Sequence, residues 1–223
     1  MGVGPSACLR SCVAPDAGPS AFLQRDSISK LETRKSHGLD QFCASLEGRH
    51  ALTILDLAGA NQETVSFITG LGHRLYSDDF LHQLDACFGG GDYWKNQADP
   101  ERIARFLEAT LDFQDGQFDG VLIWDTLQFV SNPLLEHVMR RLRDVTRQGA
   151  YMLAVFHADD KAAEAPTYAF RIRDHNTISL SPRGNRPVAQ SFNNRSLEKL
   201  FEDFESVKFF LTRDHLREVV VHR

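Results

Sequence analysis

The feature that most constrains this chain is a pair of segments, the first of them apolar, that each lead into an acidic side chain. Residues 52–57 are nearly all apolar and include Asp56, and a tight turn around Gly59 follows. Residues 74–78 form the second segment, which also ends in acid. A continuous apolar run of this length is typical of a strand buried on both faces of a parallel sheet. The pattern predicts strand, turn, helix and strand, a unit whose turn and helix amides can hold a nucleoside-bearing cofactor while the second acid binds ribose.

Helical and strand patterns alternate along the rest of the chain. The predicted helices cover residues 39–47, 61–71, 80–87, 99–110, 132–146 and 197–204, the last capped by Ser196. The predicted strands cover residues 52–57, 74–78, 121–124, 150–156, 206–212 and 217–222, with a small hairpin at 168–181. This order predicts an α/β fold with a doubly wound, mostly parallel sheet, helices on both faces and an antiparallel pair at the edge.

Length and composition predict one domain, residues 27–223, with an insertion at about 161–195. The net charge of −5 argues against a general nucleic-acid binder, and the sequence has no run of apolar residues long enough to span a bilayer. The four cysteines form no CxxC pair and are interpreted as reduced thiols of a cytoplasmic protein. No metal site and no oligomeric state are predicted.

The first 26 residues are interpreted as a disordered tail. They are rich in Gly, Pro, Ala and Ser and lack the apolar core of a secretory signal. Gly2 and Ser6 formally fit a myristoylation motif, but that motif is short and has low specificity. The tail therefore adds no predicted function.

Over residues 40–222 the chain resembles class I S-adenosylmethionine-dependent methyltransferases. The resemblance is carried by "TILDLAGANQ", by "LYSDD", by "LDFQDGQFDGVLIWDTLQFV" and by "PLLEHVMRRLRDVTRQGAYMLAVF". It implies a Rossmann-like, seven-stranded sheet with an antiparallel C-terminal strand. It also implies S-adenosylmethionine as the cofactor and methyl transfer to an acceptor, which we expect to be a small molecule.

The resemblance also implies positions for the cofactor. Asp56 closes the first motif, and Gly59, with Ala58 and Asn61, forms the loop under the methionine part. Asp79 matches the acid that holds the ribose hydroxyls, with Asp78 as the near alternative. In the same way, Trp124 and Asp125 flank the methyl donor and the substrate pocket.

Two departures from the family pattern stand out. Ala58, Ala60 and Asn61 occupy positions where the family commonly has glycine or another small residue, and glycine lets backbone approach a ligand closely. The acid that contacts adenine would fall near Leu107, whereas Glu108 is one place away and inside a predicted helix. Either the third strand of the family is short and out of register, or adenine is held differently.

His157 and Asp125 are the candidates for a base that deprotonates the acceptor. Each follows a buried strand, where the side chains of a parallel sheet meet a ligand. His157 could equally anchor a surface loop, and Asp125 could cap the following turn. Asp56 has the same alternative, and Trp124 could simply be part of the core.

The insertion is expected to select the substrate. Residues 171–195 contain five arginines and one acid, Asp174. Arginine forks suit phosphate or carboxylate groups, so a basic lid over an acidic or nucleotide-like substrate is one interpretation. A solvated hairpin or a partner-binding edge is the other.

Three functions compete at this point. An active methyltransferase leads, and a non-catalytic relative that kept the fold as a binding or scaffold protein is the alternative. A nicotinamide-dependent dehydrogenase ranks last, because the turn after the first strand reads Ala58-Gly59-Ala60-Asn61 rather than GxGxxG.

Overall fold

A computed structural model describes residues 31–159, 162–212 and 216–223. The predicted tail, residues 1–26, lies outside the described residues. The helices are α1 His37–Ala44, α2 Gln62–Gly70, α3 Phe80–Phe88, α4 Tyr93–Asn96, α5 Pro100–Thr110, α6 Asn132–Val145 and α7 Asn194–Leu200. The strands are β1 Glu32–Lys35, β2 Thr53–Asp56, β3 Arg74–Ser77, β4 Phe118–Trp124, β5 Thr146–His157, β6 Glu164–Asp174, β7 Thr177–Pro187, β8 Ser206–Leu211 and β9 Leu216–His222.

The central sheet has six strands in the order β3-β2-β4-β5-β9-β8. The first four are parallel, and β9 and β8 join as antiparallel strands. This confirms the α/β class and the mostly parallel sheet, but the prediction of seven strands was wrong. Residues 111–117 between α5 and β4 form no strand, so the seventh strand that the resemblance implies is not found among the described residues.

The central sheet separates two apolar clusters. The strand β4 is buried along its whole length and contributes side chains to both of them. Val121 and Ile123 belong to one cluster, with side chains of α3, α5 and α6. Leu122 and Trp124 belong to the other, with side chains of α1, α2, β6 and β7. Successive residues of a strand point to opposite faces, so this one segment holds both halves of the core together.

The insertion folds as a second sheet. β6 and β7 form the predicted hairpin, longer than expected, and β1 adds to β7 to give the order β1-β7-β6. Phe170, Ile172 and Ile178 are fully or almost fully buried in the second cluster. The hairpin is therefore packed onto the main fold and is not a solvated projection.

Polar side chains cap several of the helices. Asn61 caps α2 and Asp99 caps α5, each by accepting hydrogen bonds from backbone amides. The prediction that Ser196 caps the last helix was wrong. Asn193 is the N-cap of α7, and Ser196 is its partner three residues on in a capping box.

Two cysteines lie within the described residues, Cys43 and Cys87, and both are free thiols. Within the described ranges, none of the helices combines the length and apolar character that crossing a bilayer requires.

Candidate cofactor site

The acids of β2 and β3 meet at one edge of the central sheet. The amide of Asp78 donates to the carbonyl of Asp56 at 2.8 Å, and the amide of Gly59 donates to the carbonyl of Asp78 at 2.9 Å. Ala58 and Asp79 form an isolated antiparallel bridge. The structure thus brings together the residues that the sequence assigned to the cofactor.

The turn after β2 requires glycine at position 59. Gly59 has a φ of +83°, and a Cβ atom there would lie 3.2 Å from Oδ2 and 3.3 Å from Cβ of Asp79. A side chain would therefore be strained by the backbone and crowded by the acid. The single glycine keeps the two acidic strand ends in contact.

Asp56 is buried with one oxygen satisfied and one not. Its Oδ1 accepts from Nε1 of Trp124 at 2.7 Å and from the amide of Ala58 at 3.0 Å. Its Oδ2 is buried and has no hydrogen-bond partner among the described residues. Burial raises the pKa of Asp56 to about 6, although its two hydrogen bonds act in the opposite direction. A half-satisfied buried carboxylate is costly, and this one points to a missing partner.

The space beside Asp56 is filled by aromatic side chains. Trp124 is 1% exposed, has a left-handed backbone with φ of +58°, and stacks on Phe170 with ring centroids 4.6 Å apart. Phe170 belongs to β6, so the hairpin covers the end of β4. Trp124 is a core residue here, as the alternative interpretation held, and it also holds Asp56.

The hairpin is tied to the loop that precedes α2. Asn61 caps α2 through Oδ1, which accepts from the amide of Thr64 at 2.9 Å. Its Nδ2 donates to the carbonyl of Phe170 at 3.1 Å. Next to it, the amide of Ile172 donates to Oγ1 of Thr64 at 3.1 Å. Asn61 thus connects the expected cofactor loop to the strand that covers it.

Asp79 and Asp78 differ in their surroundings. Oδ1 of Asp79 accepts from the amide of His82 at 3.2 Å and caps α3. Its Oδ2 lies 3.4 Å from Nη1 of Arg183, which belongs to β7 and also donates to the carbonyl of Ala58 at 3.4 Å. The pKa of the adjacent Asp78 is raised above the ordinary value of an aspartate, mainly by burial. Arg183 thus occupies the carboxylate oxygen of Asp79 that does not cap α3.

Asp125 also meets the hairpin. It is 2% exposed, and its Oδ2 accepts from the amide of Tyr168 at 3.2 Å. Burial raises the pKa of Asp125 to about 7, against the lowering effect of that hydrogen bond. A carboxyl with this pKa can exchange a proton near neutral pH once it reaches a ligand.

His157 anchors the base of the hairpin. Its amide donates to Oε1 of Gln128 at 3.0 Å, its Nε2 lies 2.9 Å from the carbonyl of Pro166, and its ring stacks on Tyr168 with centroids 6.0 Å apart. These contacts match the loop-anchoring interpretation. His157 and Asp125 thus contact the same strand of the cover, β6, since Tyr168 meets both.

The acid that the resemblance implies for adenine is not found at its expected position near Leu107. Leu107 and Glu108 both lie within α5, and Glu108 is exposed. Among the described strands, β3 lies at the border of the central sheet, and Tyr76 is 44% exposed there. Residues 111–117 form no strand, so the short, out-of-register third strand that the sequence left open is not observed.

The ends of β2, β3 and β4 border the candidate crevice. Sequence reasoning missed the residues that cover it, namely Phe170, Tyr168 and Arg183. The alternation of apolar residues along β6 signalled a buried face. It did not signal which surface that face would bury.

No protein-family model matches the chain, and no curated protein matches it. Among solved structures, it is similar to a putative type 11 methyltransferase from Sulfolobus solfataricus, with 12% identity over 85% of this chain and 94% of that one and a TM-score of 0.48. It is also similar to the Burkholderia thailandensis 1,6-didemethyltoxoflavin-N1-methyltransferase, determined with 1,6-didemethyltoxoflavin and S-adenosylhomocysteine, with 13% identity over 83% and 77% of the two chains and a TM-score of 0.46. A Methanosarcina mazei S-adenosylmethionine-dependent methyltransferase shares 17% identity over 78% and 92%, with a TM-score of 0.44.

Two of these three proteins are methyltransferases, and the Sulfolobus solfataricus protein is a putative one. Identities and TM-scores this low assign no activity to the present chain. The function of the chain is therefore inferred from the residues of its own site.

Proposed function

We propose that this chain binds S-adenosylmethionine at the ends of β2 and β3 and transfers its methyl group to a small-molecule acceptor. The observation that carries the proposal is the buried Oδ2 of Asp56, which has no partner among the described residues. The ammonium group of the cofactor's methionine part is a donor that this oxygen lacks. Gly59 supports the same conclusion, because it brings backbone amides and Asp79 to the same edge.

The polar groups present fit this cofactor. Asp79, or its neighbour Asp78, would accept from ribose hydroxyls, and Asp56 would accept from the ammonium. When bound, the cofactor supplies an electrophilic methyl group, and the protein supplies alignment and exclusion of water. Asp125 is the residue suited to take the acceptor's proton, because its pKa of about 7 lies near the working pH.

Cofactor entry requires the hairpin to move. Phe170 fills the space beside Trp124, and Arg183 lies on Asp79. The polar ties that hold the hairpin are separate contacts along its length, and those of Arg183 are long at 3.4 Å. Displacement would remove the Trp124–Phe170 stack and open the edge at which Asp56 and Asp125 lie.

A second candidate function rests on that same stack. If β6 never leaves the crevice, the chain is a non-catalytic protein that kept a methyltransferase-like fold for binding or scaffolding. The Trp124–Phe170 contact favours this candidate, whereas the unpartnered oxygen of Asp56 opposes it.

Calorimetry with S-adenosylmethionine separates the two candidates. We expect the wild-type chain to bind, and Phe170→Ala to bind more tightly because the covering ring is gone. Glu136→Ala, an exposed position on α6, is the matched control and should bind as the wild type does. If neither wild type nor Phe170→Ala gives heat or a thermal shift at millimolar cofactor, methyl transfer is excluded and the scaffold candidate stands.

The acid at the end of β3 is tested separately. Asp79→Ala should weaken cofactor binding by about 1–3 kcal/mol, the usual loss for a hydrogen bond to a charged group. Asp78→Ala, measured in parallel, decides which of the two acids holds ribose. Unchanged affinity in both variants, with the fold intact by circular dichroism, would remove this pair from the site.

A further inference from the structure

A cavity lies between the hairpin and the helices α3 and α4. It has a volume of about 450 Å³, and the hairpin residues that line it lie far from the turn between β6 and β7. The side chains that define its chemistry are Asp85, Tyr93, Trp94, Arg183 and Arg186. Its volume is in the range of small-molecule sites.

The two arginines of this cavity are bound very differently. Arg186 pairs with Asp85 and also donates to the carbonyl of Leu81 and towards the hydroxyl of Tyr93. Its side chain is 20% exposed, so it serves to fix β7 against α3. The charge of Asp85 is thereby neutralised, and Arg183 supplies the net positive charge of the cavity.

Arg183 is held loosely. Its contacts with Asp79 and with the carbonyl of Ala58 are both 3.4 Å long, and its side chain is 41% exposed. An exposed ion pair of this kind contributes little stability, so the guanidinium is free to turn towards a better partner. Its planar fork matches a carboxylate or a phosphate.

The cavity also presents an exposed aromatic face. Trp94 is 37% exposed, which is unusual among the large apolar side chains of the described residues. Tyr93 packs edge-on against it, with ring centroids 5.0 Å apart, and this contact holds the indole in place. An exposed indole next to a guanidinium is suited to a flat ring that carries a negative charge.

We propose that this cavity binds a planar aromatic anion, with the ring on Trp94 and the anionic group on Arg183. Arg183 also contacts Asp79 and Ala58, so such a ligand would lie directly beside the cofactor loop. If this ligand is the methyl acceptor, that role rests on the proposed function. The binding of a planar aromatic anion in the cavity does not.

The test compares benzoate with benzamide, a neutral molecule of the same shape, by calorimetry and by quenching of tryptophan fluorescence in the full chain without cofactor. We expect benzoate to bind about tenfold or more tighter than benzamide, because a hydrogen bond to a charged group is the stronger one. Arg183→Gln should remove that difference, and Trp94→Phe should abolish most of the quenching, since Trp124 is buried.

Arg171→Gln is the matched control, because Arg171 lies on the same hairpin but pairs with Ser181 and Glu63. It should leave the preference for benzoate unchanged. Equal affinity for the two probes, absence of binding, or equal losses in Arg171→Gln and Arg183→Gln would each overturn the proposal. Since S-adenosylmethionine is absent throughout, such a failure is distinct from failure of the cofactor titration.

Discussion

Two buried carboxylates in this molecule, Glu218 and Asp56, have opposite surroundings. Glu218 of β9 is 0% exposed, pairs with Arg34 at 3.1 Å and accepts from the amide of Gly38 at 2.7 Å. Asp56 of β2 is 1% exposed, yet one of its oxygens is buried without a partner among the described residues. A fully paired buried charge holds a fold together, whereas a half-paired one costs stability and is retained where it has another use.

The largest expected effect is at Glu218. Glu218→Gln should lower the free energy of unfolding by about 3–5 kcal/mol, because it removes the fully buried charge that pairs with Arg34. Urea unfolding measures this. The double variant Glu218→Gln with Arg34→Met should recover part of the loss, and a loss below about 1 kcal/mol in the single variant would contradict a structural role.

The corresponding change from carboxylate to amide at Asp56 should raise the free energy of unfolding rather than lower it. Burial raises its pKa from an ordinary 3.8 to about 6, so the folded state binds the proton more tightly than the unfolded state. The chain therefore loses stability as the pH rises from about 4 to above 6, by up to roughly 3 kcal/mol. Asp56→Asn should flatten this decline and stabilise the chain by about 2 kcal/mol at neutral pH, since an amide carries no charge to desolvate.

Urea unfolding at a series of pH values checks the Asp56 prediction. Asp115→Asn is the control, because the Asp115 side chain is 78% exposed and pairs with Arg141 at the surface. If Asp56→Asn destabilises the chain at every pH, Asp56 is a structural cap like Glu218 and the comparison fails.

The smallest expected effect concerns the tie between the crevice and its cover. Asn61→Ser keeps a side chain that caps α2 but loses the bond from Nδ2 to the carbonyl of Phe170, which should cost about 1 kcal/mol. Asn61→Ala loses both contacts and should cost more. Hydrogen exchange of the β6 amides follows the hairpin directly, and equal protection in wild type and Asn61→Ser would show that this tie does not hold it.

The sequence predicted the parts of the fold that depend on local pattern. The apolar runs gave β2, β4 and β5, and the turn residues 174–176 gave the hairpin within a few positions of its ends. Gly59 and the acids beside it were found because strand ends of a parallel sheet share an edge. The four-residue strand β1 was missed, since it is polar and mostly exposed and owes its conformation to β7.

The cover over the crevice could not be predicted from the sequence. Phe170 and Arg183 lie more than a hundred residues from Asn61 and Asp79, and nothing in the local pattern links them. The missing strand was equally hidden, because "LDFQD" reads as an extended segment whether or not a neighbour pairs with it. Such features depend on long-range packing, which overrides local preference.

The border of the central sheet at β3 has one further consequence, for association between molecules. An unpaired sheet border offers backbone groups to any extended peptide in solution, and long flat borders are prone to aggregate. Here the border is only four residues long and begins with Arg74, which is exposed. A foreign strand would gain few hydrogen bonds there, so this border offers little template for aggregation.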